Sequence, residues 1–595
     1  MRAFTTSFRC NYRFTQPRSL DPSLCRFSVP IGAKRVFPVF PHHGPHYLIQ
    51  QPLSLLQHRP YHVTSLSHDE PTIYALSTAS GKAAIAVIRI SGSACRQIYK
   101  GLCPSTPLPK PRYATLRKLY SPHQSPLPAT LLDSGALVLH FPAPNTVTGE
   151  DVLELHVHGG PAIVRAVLAA IPRSASAGES RTRSTPSIRY AEPGEFTRRA
   201  FANNRMDLPQ IESLGETLSA STEQQRKLSV RGTTSSLAVR YEHWRQLLLA
   251  ARGELEALID FSEDQHFDES PAILCASVAE QVRALRTQME AHVANAVRGE
   301  LLRNGISVAL LGAPNAGKSS LLNRIVGRDA AIVSQEAGTT RDVVEVGVDL
   351  GGWLVKIGDM AGLRRAGLVG AEAVGAVEQE GIKRAKQRAL ESDVLIVVQD
   401  ATAETDPEVM ETAKKCVDLG VNVVVAINKI DQLDNVAFLE HTWAMRMQSE
   451  LGISSDRVTF ISCKASAAAT SSDPGHIQSF LTTLLDVFKS MTAALVPESD
   501  PDPGLWQESL GATERQRLLL SECLGHLETF LTTVDPHLLA SEPSPTDPND
   551  EIDIVVAAES LRSAAEALAR ITGRGEGGDV EEVLGVVFEK FCVGK

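Results

Sequence analysis

Three kinds of hydrophobic pattern follow one another along the chain. From Thr72 to about Leu208, short apolar runs alternate with turns. Ala83–Ile90 and Ser134–Phe141 read as strands, and Asp151-Val-Leu-Glu-Leu-His-Val-His158 alternates strictly, which places Glu154, His156 and His158 on one face. From about Pro209 to Gly299 the apolar period changes to three and four, as in Leu247–Ile259 and Val278–Met289, the pattern of amphipathic helices. Then come short, mainly apolar runs, Ile306–Leu311 and Val421–Ile427, which suit strands buried in a parallel sheet, with Trp353–Ile357 between them. Helical periodicity returns in Thr513–Leu524 and from Asp553 to Ile571. Half-apolar helices on both sides of an intact α/β unit predict that this unit is inserted into one helical bundle, its ends close together. The expected fold is multidomain: an α+β N-terminal domain at 69–208, an all-α domain split between 209–299 and 497–595, and an inserted α/β domain at 300–496.

Composition narrows the picture. At 595 residues the chain is too long for one core. The formal net charge of −10 argues against nucleic-acid binding by bulk electrostatics, so any RNA contact must come from a local basic patch. Nine cysteines without a C-x-x-C pair point to neither a disulfide framework nor a zinc site. No apolar run is long enough to span a membrane. Residues 1–68 carry Arg2, Arg9, Arg13, Arg18, Arg26, Lys34, Arg35 and Arg59 against one acid, Asp21, with many Ser and Pro, and resemble a mitochondrial transit peptide with a processing step near Arg59-Pro60-Tyr61. The low-complexity stretches Ser174–Pro186 and Ser541–Asn549 are expected to be surface insertions.

The candidate chemistry is concentrated in Gly312-Ala-Pro-Asn-Ala-Gly317-Lys318-Ser319, which has the form G-x-x-x-x-G-K-S between a strand pattern and a helix pattern. In such a P-loop the glycines let the backbone wrap around phosphates and the helix N-terminus points free N–H groups at them. Asn315, Ala316, Gly317 and Ser320 belong to this cradle. Lys318 reaches the β- and γ-phosphates, and Ser319 offers its hydroxyl to Mg²⁺. Asn428-Lys429-Ile430-Asp431 follows a buried-strand pattern, where ligands sit in open α/β sheets. Its Asp431 carboxylate can accept from both donors on the guanine edge, whereas adenine presents a bare acceptor there. Ser462-Cys463-Lys464 suits the loop behind the base, Asp359 and Gly362 the metal and γ-phosphate side, and Thr339 and Thr340 a second hydroxyl for Mg²⁺. Five motifs in this order describe a GTPase domain.

The P-loop with its Asn315, Gly338-Thr-Thr-Arg-Asp342, Thr148-Gly-Glu-Asp151, Pro193-Gly-Glu-Phe196 and the terminal Cys592-Val-Gly-Lys595 together resemble the MnmE (TrmE) family of tRNA-modification GTPases, in a mitochondrial version, from Thr72 to the end. The resemblance implies an N-terminal domain that binds a 5-formyltetrahydrofolate-type folate and forms a homodimer, a matrix location, and action on mitochondrial tRNA. With an MnmG-type FAD protein, such enzymes place an aminomethyl-type group (carboxymethylaminomethyl in the expected product) on C5 of the wobble uridine. It assigns the folate pocket to Arg89, Glu154, Arg205 and Lys595, Arg205 standing where the family commonly has Lys, and makes Cys592 a candidate for one-carbon chemistry.

Leu363 occupies the position at which Ras-like enzymes carry the water-orienting glutamine. The family's substitute is K⁺, held by Asn315 and by the loop from Ser334 through Glu336 to Thr339, with Glu378 placing the water; Lys318 and Thr340 complete the catalytic set. Met360 departs from the family's usual Thr, from which slower switching is expected. His156 and His158 are better read as a polar strand face or pocket wall than as metal ligands, since Gly159-Gly160 follows and no further ligand cluster is visible. Two other classes remain open: a GTPase switch in mitochondrial ribosome assembly or translation, for which no RNA-binding appendage is visible, and a folate enzyme with a merely regulatory GTPase.

Overall fold

The computed structural model describes residues 70–175, 187–233, 236–261, 271–328, 330–336, 345–357, 386–433, 436–465, 473, 475–497, 503–534, 553–573 and 594. Residues 1–68, Thr339, Thr340, Asp359, Met360, Gly362, Leu363, Glu378, Ser541–Asn549, Cys592 and Lys595 lie outside the described residues.

The N-terminal part is a six-stranded sheet. Its strands are β1 (Thr72–Leu76), β2 (Ile85–Ser91), β3 (Thr115–Tyr120), β4 (Leu131–Phe141), β5 (Val152–His158) and β6 (Ile188–Tyr190), in the order β3-β4-β5-β2-β1-β6. All pairings are antiparallel except β1 with β6. Strand alternation sends Ala86, Ile88, Ile90, Ala136, Val138, Leu153, Leu155 and Val157 into one core with the helices Cys95–Leu102 and Pro161–Ala170. Arg89, Glu154, His156 and His158 fall on the opposite side of the same strands, where Phe196 of the helix Glu195–Ala202 packs against β1. Ser174, expected to open a surface insertion, is instead buried in the short helix Pro172–Ala175. Its hydroxyl donates to the Ala170 carbonyl, and it lies so close to Gly101 that a Cβ there would come within 2.9 Å.

Helices from before and after the α/β part form one bundle. Ser236–Phe261, Pro271–Asn304, Glu514–Val534 and Ile554–Thr572 share a single apolar cluster that includes Trp244, Leu255, Val282, Met289, Leu527, Phe530, Leu561 and Leu568. The helix Pro271–Asn304 runs five residues past the expected boundary at 299. It stops at Gly305, whose φ of +89° breaks the helix while its N–H still donates to the Leu301 carbonyl. The returning chain is tied to this helix by Asn295, which accepts the Leu495 N–H at 2.6 Å and donates to the Leu495 carbonyl at 2.9 Å.

The α/β part is a seven-stranded sheet of β7 (Ile306–Leu311), β8 (Ala330–Glu336), β9 (Glu345–Leu350), β10 (Trp353–Ile357), β11 (Val394–Asp400), β12 (Asn422–Asn428) and β13 (Val458–Phe460). The order is β13-β12-β11-β7-β10-β9-β8, with β9 antiparallel to both neighbours and the other pairings parallel. Apolar clusters cover both faces, which is why β7, β11 and β12 read as near-continuous hydrophobic runs. The tip of the β9–β10 hairpin touches the helical part, where the Gln224 N–H donates to the Gly352 carbonyl at 3.0 Å.

Candidate functional site

At the end of β7 the chain enters its phosphate loop. A Cβ on Gly312 would lie 2.2 Å from the Val398 carbonyl oxygen, and one on Gly317 would lie 2.1 Å from Asn428 Nδ2, so neither position accepts a side chain as it stands. Asn315 and Gly317 both have positive φ, +62° and +106°, which turns the loop back on itself before the helix Lys318–Arg328 begins. Lys318 Nζ donates to the Gly312 and Ala313 carbonyls at 2.7 and 2.8 Å, spanning the loop from within. Ser319 and Ser320 are exposed in the first turn, where a helix N-terminus favours an anion. A backbone cradle with no room for Cβ atoms, an ammonium across it and a hydroxyl at the helix start fit a nucleotide phosphate with Mg²⁺.

The base side is built on the last residue of β12. Buried Asn428 donates to the Ala316 carbonyl at 2.9 Å and accepts the Cys463 N–H at 3.2 Å, so one side chain fixes the phosphate loop against the loop behind the base. Arg324 closes the ring from the phosphate-loop helix by donating to the Cys463 carbonyl at 3.2 Å. Lys429 adopts φ +70° and its Nζ contacts Asp400 Oδ2 at 2.5 Å. Burial alone would raise the Asp400 pKa, but the hydrogen bonds from Lys429 and Thr402 outweigh it and hold the carboxyl below its ordinary value. Asp431 accepts the Ser462 hydroxyl at 2.5 Å, and Ser462 Oγ accepts the Ala465 N–H, so the carboxylate is aimed before any base arrives. Cys463 is buried, which pushes its thiol up to about 11; Lys464 is exposed. Asp400 and Arg324 were not singled out in the sequence. Asp400 had a signal, an acid ending a buried strand beside Asn428 in register, whereas Arg324 is one basic residue among many on helices.

On the γ-phosphate side, Ser334 and Glu336 do not belong to a loop. Both are strand residues of β8, opposite Gly347 and Glu345 of β9, because the ladder persists to the last residue before the undescribed stretch. Residues of the expected cation loop after Glu336, including Thr339, lie outside the described residues.

In the N-terminal domain, Arg89 and Glu154 are register partners on β2 and β5, and Arg89 Nε donates to Glu154 Oε1 at 3.0 Å. The guanidinium lies 6.0 Å from the centre of the Phe196 ring. His156 Nε2 is 3.4 Å from Glu154 Oε2, while His158 pairs with the buried Asp133 at 2.8 Å. Among the described residues no group of three His, Cys, Asp or Glu is placed to hold a metal ion. The penultimate residue of the chain is docked at this same sheet. Gly594 accepts the Ser77 hydroxyl at 2.9 Å, has φ +94°, and would place a Cβ 2.2 Å from the Leu76 carbonyl. Leu76 follows Ala75, the β1 partner of Arg89, so the chain terminus reaches the row that holds the Arg89–Glu154 pair. Arg205 lies apart from that pair in its bonding, its Nε donating to the Thr146 carbonyl at 3.0 Å.

Thr148-Gly-Glu-Asp151 and Pro193-Gly-Glu-Phe196 interlock through Arg199. This residue is 4% exposed and donates to both oxygens of Glu150 at 3.0 Å, to Glu195 at 3.1 Å and to the Pro71 carbonyl at 2.7 Å. Arg189 grips Glu195 with two further bonds, and Ser91 bonds Glu150. These motifs hold the domain together beneath the Arg89 row.

Residues 72–205 match the family model for the GTP-binding protein TrmE N-terminus, and residues 208–592 that for the MnmE helical domain. The chain is 37% identical over 534 residues to the mitochondrial tRNA modification GTPase mss1 of Schizosaccharomyces pombe, an alignment covering 89% of this chain and 96% of the relative. It is 39% identical over 524 residues to the tRNA modification GTPase MnmE of Paramagnetospirillum magneticum, covering 88% and 99%, and 35% identical over 544 residues to the mitochondrial MSS1 of Saccharomyces cerevisiae, covering 88% and 93%. With both matches spanning nearly all of the chain beyond its first 71 residues, the chain belongs to the MnmE/TrmE family of tRNA modification GTPases.

Proposed function

We propose that this GTPase acts in mitochondria, in the matrix, where together with an MnmG-type FAD protein it modifies C5 of the wobble uridine of mitochondrial tRNAs, drawing a one-carbon unit from a formyltetrahydrofolate-type folate. The observation that carries this reading is the docking of Gly594 beside the Arg89–Glu154 row, in the same chain as a guanine-type pocket. Arg89 orients Glu154, whose carboxylate suits the N–H edge of a pterin, and the cations of Arg89 and Lys595 suit the anionic glutamate tail. Arg205 contributes through its remaining guanidinium nitrogens. Cys592, close to the docked end in sequence, is the candidate for contact with the one-carbon unit. The chain works as a homodimer through its N-terminal domain.

In the nucleotide site, Asp431 selects guanine, Asn428 keeps base and phosphate loops in register, and Lys318 follows the β- and γ-phosphates. Ser319 and Thr340 would hold Mg²⁺, and Asn315 with the chain from Ser334 through Glu336 to Thr339 would hold K⁺. These ions neutralise charge that develops on the phosphates during transfer. Asp359 and Gly362 line the γ-phosphate side, and Glu378 places the water. The test is calorimetric titration of 5-formyltetrahydrofolate into the whole protein, its Arg89→Ala variant and a variant lacking Lys595. Weakened folate binding with unchanged GTP affinity is the expected result; undiminished folate affinity in both variants removes these residues from the pocket.

A further inference from the structure

The charge of this acidic chain is unevenly placed. From Pro71 to Leu132 there is no Asp or Glu and there are eight Lys or Arg. The helices Cys95–Leu102, Pro161–Ala170 and Pro172–Ala175 contain no acidic residue either. These elements are neighbours in space and not only in sequence. Gly101 and Ser174 meet at the helix crossing, His123 Nε2 contacts the Arg173 carbonyl at 2.7 Å, and Arg117 of β3 donates to Tyr99 of the first helix at 2.8 Å. Together they make the helical face of the N-terminal domain and its free edge, since β3 is the outermost strand.

The exposed cations follow this surface as a band. Arg96 and Lys100 share one stripe of their helix at spacing four, and Arg165 projects from the second helix. Lys118 stands on the edge strand β3, and Lys110 and Arg112 in the turn before it. Asp151 approaches Arg96 at 3.6 Å at one margin. Among the described residues Lys100, Lys110, Lys118 and Arg165 have no carboxylate within ion-pair distance. Within the band stands Tyr113, 68% exposed, a ring on which an unpaired base can stack. A one-signed basic band in a chain of net charge −10 is the electrostatic footprint expected of a polyanion site.

We propose that this band, which runs from the helical face of the sheet around its free edge at β3, is the surface that holds the tRNA backbone. The inference rests on the tRNA reading given above and adds the place of contact. Cations spaced along an edge meet phosphates at successive positions, and such contacts position an RNA without reading its sequence.

The test measures binding of transcribed tRNA by the full-length protein as a function of salt. Two double variants are compared with wild type: Lys100→Gln with Arg165→Gln, and Lys110→Gln with Lys118→Gln. All four side chains are exposed and none touches either ligand pocket. Each lost phosphate contact lowers the slope of log affinity against log salt by about 0.7–0.9, so each double variant should lose about 1.5 from the slope and bind roughly tenfold or more weakly near 0.1 M salt. GTP turnover and the mass in solution should stay unchanged. Wild-type slopes in both double variants overturn the proposal. So does lost tRNA binding accompanied by a halved mass, because a second copy of the chain then covers this face. Absence of salt-dependent tRNA binding by wild type overturns the tRNA reading itself, an outcome read without any variant.

Discussion

Gly317→Ala tests how tightly the two halves of the nucleotide site are joined. The new Cβ would stand 2.1 Å from Asn428 Nδ2, well inside contact distance, so one of the two must move. Asn428 is buried and fixed at both ends, donating to Ala316 and accepting from Cys463, so its displacement loses a hydrogen bond worth ~0.5–1.5 kcal/mol. Alanine at φ +106° adds a further strain of ~1–3 kcal/mol, whether Asn428 or the loop gives way. Either way the amides that face the phosphates leave their positions. The combined cost is about 2–4 kcal/mol, which corresponds to about 30- to 700-fold weaker GTP binding. Strain and a lost bond in the folded state should also lower the melting temperature of the domain, by about 2–4 °C per kcal/mol. Fluorescent-nucleotide titration alongside a melting curve measures both. GTP affinity within about threefold of wild type would refute the claim that Asn428 and Gly317 occupy one tightly filled space.

Asp431→Asn should move preference from GTP toward xanthosine triphosphate by roughly 10²-fold, since each mispaired buried polar group costs ~1–3 kcal/mol; unchanged GTP turnover at limiting concentration would contradict the assignment of this loop. Single-turnover hydrolysis at constant ionic strength should be ~10²-fold faster in KCl than in NaCl, with Asn315→Ala losing most of the difference; equal wild-type rates in the two salts would return the search to an arginine from a partner. Burial would raise the Glu195 pKa, but the hydrogen bonds from Arg189 and the Glu192 amide, with the charge of Arg199, hold it below the ordinary carboxylate value. Its contribution to stability is therefore complete above the unfolded value of ~4.3 and lost as pH falls through the depressed folded value, so Glu195→Gln should flatten the acid side of a stability profile. An identical acid limb in both proteins would show that this carboxyl does not titrate on unfolding.

Much of the nucleotide site was legible because its chemistry is local. A glycine loop, a lysine and a hydroxyl fall within eight residues, and β7 and β10 begin and end where their apolar runs do. What joins the site was not legible. Asp400, Arg324 and the Asn428 bridge act across 29 to 139 positions of sequence, and nothing in their own neighbourhoods says which partner the sheet order will bring. The same holds for Arg199, which looks like one charge on a short helix and proves to be the buried clasp between two motifs read at first as signatures alone. The helix Pro271–Asn304 outran its expected end because its stop is set by one backbone angle at Gly305, not by a change of hydrophobic period. The Ser334–Glu336 segment reads as loop in the sequence because the strand there is short, lies at the sheet edge, and takes its register from β9.

The most direct test of the central claim, that GTP hydrolysis by this chain serves wobble-uridine modification, is mass spectrometry of nucleosides from mitochondrial tRNA. It compares cells lacking the chain with cells given back the wild type or the Glu378→Ala variant. The account predicts that the C5-modified wobble uridine disappears on deletion, returns with wild type and does not return with a variant that binds GTP but hydrolyses it slowly. Modified uridine at wild-type level in the deleted cells would contradict it.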